Sequence, residues 1–570
     1  MDFKQQIAEA VEKAVSSVYG EVSLTAGDIL AKIELPPDPA MGDYAFPCFL
    51  LSKAVRKAPM MISDALSAAI SEPFLARTES VKGYLNFYIN KALYADEVVS
   101  AALTAGERYG SGTEGEGKTV VIDYSSINIA KRFHIGHLST TMIGNALYKM
   151  HGFLGYNVVG VNHLGDWGTQ FGKMIAAYKL WGDREAVEKG GVDEMVKLYV
   201  RFDQEAQNDP SLNDLGRAWF KKIEDGDEEA LAIFNWFKSV TLKDAERVYD
   251  MLGVKFDSYA GESFYNDKMD RVVDELREKG LLVEDQGAQI VRLEDWGMPP
   301  FIILRSDGAT LYATRDLAAA LYRMDTYHFS KCLYVVAYQQ DLHFKQLFKT
   351  LELMGYEQAG TGMEHVSFGM VSYEGQALST RKGHVVYLED LLNTAVEKAR
   401  SIIDEKSPDL ENKDEVARQV GIGAVVFFDL YNGRIKDIDF TWERALDFEG
   451  ETGPYVMYTH ARCASVLRKA GACDAAPDFE ALADPEAQNV VRLIERFPEI
   501  VRSAVDRSEP SMVTRYSVEL AKAYNKFYYE RRILDDDMGA RAARLMLTRA
   551  VKSVIKTALG LIGISAPERM

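Results

Sequence analysis

Two histidines, His134 and His137, enclose Ile135 and Gly136 at the point where a β-rich run gives way to a helical one. Thr119–Tyr124 (TVVIDY) is short and rich in β-branched residues, as expected of a strand buried in a parallel sheet. From His137 onward Leu138, Met142, Ile143, Leu147 and Met150 recur at helical spacing, and Gly155 with Asn157 ends the pattern before Val158, Val159 and Val161. This is a β-α-β unit. Its helix start directs unpaired N–H groups and partial positive charge at whatever lies above the strand's carboxyl end, which suits a nucleotide phosphate. Gly136 lets a ligand approach the backbone closely, and the two imidazoles can donate hydrogen bonds to phosphate oxygens as charge builds in a transition state. The chemistry so implied is nucleotidyl transfer. Standing alone, the tetrapeptide reads equally well as an ordinary helix start; its strand-to-helix setting favours the phosphate site.

The elements around it extend the pattern. Ser125–Leu138 reads SSINIAKRFHIGHL and Asn162–Gly172 reads NHLGDWGTQFG. LYATRDLAAA (311–320), YQQDLHFKQ (338–346), LSTRKG (378–383), GETGPYVMYTHAR (450–462) and a terminal APERM follow. In these motifs and their order the whole chain resembles the class I aminoacyl-tRNA synthetases, specifically the arginyl-tRNA synthetase family. Gly42–Pro47 (GDYAFP) and Lys82–Phe87 (KGYLNF) resemble that family's tRNA-contacting first domain. The fold the resemblance implies is α/β: a Rossmann-like class I catalytic domain, preceded by an N-terminal α+β domain and followed by an all-α anticodon-binding domain.

The implied activity is two-step. The carboxylate of L-arginine attacks the α-phosphate of ATP, pyrophosphate leaves with Mg2+, and the adenylate is transferred to the terminal ribose of tRNA(Arg), through the 2′-hydroxyl by resemblance. Carried residue by residue, the family pattern puts catalysis on His134, His137, Lys131, Ser379, Arg381 and Lys382. ATP falls to Ser125, Asn128, His134, Gly136, His137 and Lys382. Arginine falls to Asp123, Asn128, His134, Tyr312, Asp316 and Gln340. Tyr312 and Asp316 are four apart with helical character and so share a face, where a carboxylate can pair bidentately with a guanidinium. From the residues alone, Asp316 reads as a helix cap or a partner of Arg315 or Arg323, and Asp123 as a strand-end hydrogen bond. The family's second signature loop, usually written KMSKS, is altered to LSTRKG with Ala377 in place of the first Lys; Lys131 matches a compensating lysine, and the run alone reads as a polar surface turn. Ser139 replaces an arginine common after the signature leucine, while Ile127 and Arg132 are further departures.

Composition sets bounds of its own. At 570 residues the chain has room for about three domains: 1–112, ending in a Gly-rich polar linker; 118–403, with a charged helical insertion at about 173–297; and 404–570. The strand-like runs Phe301–Leu304 and Cys332–Ala337 are expected to complete the catalytic sheet. No apolar run approaches the roughly 18 residues of a membrane span, and MDFKQQIAEAVEKA is an amphipathic helix pattern, so a cytoplasmic protein, expected as a monomer, is indicated. Four scattered cysteines have no metal-ligand spacing, so neither disulfides nor a structural metal is expected. A net charge of −19 argues against nonspecific nucleic-acid binding, while Ser511–Lys556 is locally basic, with ten Lys or Arg against five Asp or Glu.

In the C-terminal region Tyr455 and Tyr458 are the candidates for stacking splayed tRNA bases. Tyr516, Tyr524, Phe527, Tyr528 and Tyr529 recur at helical spacing, and most of that set reads as core. Two rivals remain: a synthetase for another amino acid, against which Tyr312–Asp316 and the missing zinc-ligand cysteines speak, and a noncatalytic RNA-binding relative, in which His134, His137 or Asp316 would be lost.

Overall fold

The computed structural model of the chain describes all residues except 1–2, 21, 39–40, 307–311 and 378–384. It divides into two compact units. The first comprises Met1–Tyr109, Arg462–Phe497 and Glu519–Val554. Strands β1 (Tyr44–Pro47), β2 (Leu75–Val81) and β3 (Tyr84–Ile89) form an antiparallel sheet in the order β1-β3-β2. The helix Phe3–Tyr19 buries Ile7, Val11, Ala14 and Val15, a stripe at helical spacing. Asn90 caps the helix Lys91–Ala105, its Oδ1 accepting from the amides of Ala92 and Leu93.

The second unit comprises Gly110–Ala461, Pro498–Val518 and Ile555–Met570. Its central sheet is built from β4 (Thr119–Asp123) and β5 (Asn157–Val161), with two later strands. Between β5 and those later strands lie, among the described residues, six α-helices, from Thr169–Trp181 to Tyr312–Tyr327, and the strands β6 (Leu282–Asp285), β7 (Ala288–Val291) and β8 (Phe301–Leu304). The later strands are β9 (Lys331–Tyr334) and β10 (Met363–His365), and the sheet order is β10-β9-β4-β5, all parallel. One expectation is corrected here. Phe301–Leu304 is a strand, but it pairs antiparallel with β7 in a separate three-stranded sheet and does not join the catalytic one. Its side chains alternate between buried and exposed, the signature of a sheet with one wet face, whereas β4 and β9 are buried almost throughout. A last small sheet, β12-β11-β13, joins β11 (Val371–Tyr373), β12 (Gln376–Ala377) and β13 (Ile438–Phe440). Among the described residues no helix is long and apolar enough to cross a membrane.

The chain leaves β4 toward β5 on one side, while β9 leads to β10 on the other. The crevice beyond the carboxyl ends of β4 and β9 is therefore the switch point of the sheet, where ligands of such folds bind. The segments after β4, β5 and β9, and the first turn of the helix Tyr312–Tyr327 that runs back to β9, all open on this edge.

The signature helix, Leu138–Phe153, connects β4 to β5 and buries Leu138, Met142, Ile143, Ala146, Leu147 and Met150. Its close seat depends on Gly144, because a Cβ there would run into the ring of the fully buried Tyr124, at the end of β4. Gly144→Ala is accordingly predicted to lower stability by roughly 1–3 kcal/mol through overpacking, outweighing the helix propensity gained. Thermal melts of the two proteins check this, with a lower Tm expected in the variant.

Candidate active site

His134 and His137 form a compact turn before the signature helix: Ile135–His137 is a single 3-10 turn with His134 as its N-cap. The Gly136 amide donates to His134 Nδ1 at 3.1 Å, and the His134 amide donates to His137 Nδ1 at 3.2 Å. His134 Nδ1, accepting from the Gly136 amide, carries no proton, so that neutral ring holds its proton on Nε2; His137 Nδ1 lies 3.3 Å from the His134 carbonyl as well as 3.2 Å from the His134 amide, so either tautomer of that ring has a backbone partner. The rings lie 3.9 Å apart between centroids. Gly136 has no side chain to offer, and a Cβ there would stand 2.9 Å from the His134 ring. Burial lowers the pKa of both: His137 falls to about 3, helped by repulsion from His134 and Lys131, and His134 falls through burial and then Lys131. The pair is neutral near pH 7.

The start of the helix is tied down by three successive hydroxyls. Ser139 Oγ donates to Asp429 Oδ1 at 2.6 Å, and Thr140 Oγ1 donates to the Val335 carbonyl beyond β9 at 2.7 Å while accepting from the Ser125 amide. Thr141 Oγ1 lies 2.9 Å from Ser125 Oγ, which also meets the Tyr249 hydroxyl at 2.8 Å. Ser125, a candidate for ATP, is thus buried and engaged within the protein, in a left-handed conformation with φ of 71°. Asn128, Lys131 and Gln340 are exposed at the crevice edge. On its far side the turn is stitched to the chain that follows residues 378–384: the Ile135 amide donates to Val386 and the Leu388 amide to Phe133. Ser379, Arg381 and Lys382 lie outside the described residues.

The acidic candidates divide. Asp123, at the end of β4, is ion-paired to the buried Arg323 at 2.7 Å, and its other oxygen accepts from Ser126 Oγ at 2.9 Å. Asp316 lies one turn into its helix, partly exposed, with Tyr312 beside it 64% exposed. Neither Arg315 nor Arg323 takes Asp316 in the described structure; its partner is His343 Nε2 at 2.7 Å.

Spacing did not reveal three other groups. Glu262 has a buried Oε2 without a hydrogen-bond partner and a pKa raised to about 7, chiefly by burial, with the charge of Asp316 adding to the rise and Arg315 opposing it. Arg315 is buried with its Nε unpartnered and its Nη2 3.4 Å from Asn266 Oδ1. Asp166, fully buried within the NHLGDWGTQFG run, accepts from Lys238 at 2.6 Å and from the Ser263 amide and hydroxyl, and so fixes the segment next to Glu262. Glu262 opens a short 3-10 helix, Glu262–Lys268, with no apolar periodicity to mark it, whereas His343 lay inside YQQDLHFKQ.

In the C-terminal region Tyr458 is 42% exposed on the helix Gly453–Ala470, with Tyr455 partly buried one turn earlier. Tyr516, Tyr524 and Phe527 are buried as core, and Tyr529 is exposed.

Three family models cover nearly the whole chain: "tRNA synthetases class I (R), catalytic domain" matches residues 98–442, "DALR anticodon binding domain" 456–570, and "Arginyl tRNA synthetase N terminal domain" 1–89. The arginine–tRNA ligase of Alkaliphilus metalliredigens is 51% identical and that of Clostridium perfringens 52%, each match covering all of both chains. Among solved structures, Thermus thermophilus arginyl-tRNA synthetase superposes with a TM-score of 0.77 at 26% identity over all of both chains. Matched from end to end in sequence and in fold, the chain belongs to the arginyl-tRNA synthetase family.

Proposed function

We propose that the His134–His137 turn and the Tyr312–Asp316 helix start are the two halves of one active site, the first handling ATP and the second the arginine side chain. The activity is that of an arginine–tRNA ligase, whose substrates are arginine, ATP and tRNA. The observation that carries the residue assignment is that two neutral imidazoles and a partly exposed carboxylate open on the same edge of one parallel sheet.

In the first step an arginine carboxylate oxygen bonds to the α-phosphorus of ATP as the bond to the bridging oxygen of pyrophosphate breaks. Charge grows on the equatorial phosphate oxygens, and donors already aimed there need no reorganisation. His134 and His137 supply such donors without the cost of burying a charged imidazolium, and the helix start behind them adds its amides. Lys131, an exposed side chain in the segment after β4, is proposed to meet the outgoing phosphates, with Arg381 and Lys382 as its proposed companions. Mg2+, entering with ATP, would neutralise charge on the phosphates. Asn128 and Gln340 are proposed to hold the amino acid's amino and carboxyl ends. In the second step a ribose hydroxyl of the terminal adenosine attacks the adenylate carbonyl and AMP leaves. Tyr455 and Tyr458 are proposed to stack anticodon bases, the exposed ring of Tyr458 first.

Specificity for arginine is proposed to rest on Asp316, with Glu262 behind it. A planar guanidinium offers five donors, and Glu262 Oε2 is a buried acceptor lacking one. Its arrival would hold Glu262 ionised, against the burial that now raises its pKa.

Asp316→Ala should raise the KM for arginine about a hundredfold and leave the KM for ATP within about twofold, read by tRNA-supported, arginine-dependent ATP–pyrophosphate exchange. Glu262→Gln should shift the same constant in the same direction by less. Retained arginine affinity in Asp316→Ala would remove that residue from the site.

Because the paired imidazoles are already neutral, the exchange rate should show no break near 6.5, the ordinary histidine value, between about pH 6 and 8. Stability follows with a definite sign. A histidine buried neutral contributes stability present above its unfolded pKa near 6.5 and lost as pH falls toward its folded value, about 3 for His137 and about 4 for His151. Melts of the wild type and His137→Gln across the acid range should therefore show a shallower acid loss in the variant.

A further inference from the structure

Asp429 is a buried carboxyl that the reaction does not touch. It lies near the end of the helix Lys413–Tyr431, 8% exposed; Oδ1 accepts from Ser139 Oγ and Oδ2 has no partner. Burial pushes its pKa up to about 7, with the Ser139 hydrogen bond opposing. An isolated carboxyl is a poor structural filler: an apolar residue of like volume would pack there without a desolvation penalty.

Its place supplies a reason. Ser139 is two residues beyond His137, in the first turn of the signature helix. The helix that carries Asp429 leads through Asn432–Asp437 into β13, which pairs with β11; there Asp437 accepts from the Met370 amide and Asp439 from Ser372 Oγ, both at 2.6 Å. β11 and β12 form the hairpin from which the chain enters residues 378–384, the altered second signature. The Ser139–Asp429 hydrogen bond thus joins the element that begins at the histidine turn to the element that leads to the second loop's hairpin. Thr140 and Thr141 tie the same helix start to β9 and to the chain after β4, and only Ser139 reaches the helix of Asp429 among these three hydroxyls.

We infer that Asp429 is a positioning residue for adenylate formation: through Ser139 it fixes the spacing between the histidine turn and the hairpin of the second signature loop. It makes no contact with substrate, and its effect is on the geometry in which the triphosphate is held. Misplacement of such groups by an ångström is enough to reduce rate substantially. The inference rests on the proposed role of the histidine turn.

The test is tRNA-supported ATP–pyrophosphate exchange by the full-length protein carrying Ser139→Ala, Asp429→Leu, Asp429→Asn or His137→Ala. Ser139→Ala and Asp429→Leu are expected to lower kcat about tenfold with the KM for arginine within about twofold. Asp429→Asn, which keeps an acceptor for Ser139, is expected to hold kcat within about threefold of the wild type. If Asp429→Leu does not fold, Ser139→Ala, a small change, decides alone. Unchanged kcat in Ser139→Ala beside an impaired His137→Ala would overturn the tether and spare the turn. A full rate in His137→Ala would overturn the role of the turn on which the tether depends. Equal losses in Asp429→Asn and Asp429→Leu would also overturn it, since the acceptor would then not be what matters.

Discussion

The proposed active site hangs on two hydrogen bonds in which backbone amides meet the Nδ1 atoms of His134 and His137. They fix each ring's orientation and, for His134, which nitrogen keeps the proton. They also use the turn to satisfy donors that a helix start would otherwise leave open. Burial does the rest by keeping the rings neutral. Much of the neighbouring structure serves to hold that turn still. Gly144 lets the signature helix sit on Tyr124, the Ser139–Thr141 hydroxyls pin its first turn, and the chain after residue 384 is hydrogen-bonded along its outer side.

Charges below the crevice follow a second rule. Asp123 is paired with Arg323 and Asp166 with Lys238, so these carboxylates are already answered by cations of the chain itself. Buried pairs of this kind add little net stability, since desolvation consumes most of the attraction, but breaking one is costly. Their value is that they hold fixed charges in fixed places beside a ligand site. Among the described residues Asp316, partly exposed, is paired with His343, and Glu262 has an oxygen without a partner. The unbalanced negative charge is concentrated at the place assigned to a guanidinium.

The sequence disclosed local order well and distant pairing poorly. Thr119–Asp123 and Leu138–Phe153 follow from β-branched content and helical spacing, and the structure has both where those patterns place them. Phe301–Leu304 shows the limit. Its residues mark a strand, but nothing in four residues says which strand it will join, and the antiparallel partner at β7 was nearer in sequence than the catalytic sheet. The Ser139–Asp429 contact spans 290 residues, and an aspartate inside VVFFDLY carries no spacing signal for it. Glu262 is equally silent, since its meaning comes from burial and from Asp316 and Arg315, which only the fold brings near. Where candidates sit in contiguous motifs, as in His134–His137 and Tyr312–Asp316, the residues could be proposed beforehand; where a contact depends on long-range juxtaposition, they could not.

The signature turn is proposed to present two neutral imidazoles, that of His134 protonated at Nε2. Long-range 15N–1H correlation spectra of protein labelled in its histidines, with His134→Gln and His137→Gln used for assignment, read ring protonation directly. The expected spectra show a neutral ring with its proton on Nε2 for His134 at pH 7, and for His137 a neutral ring unchanged down to about pH 5. Titration of both rings near 6.5, or a proton on Nδ1 of His134, would contradict this and would return the two histidines to the standing of an ordinary helix start.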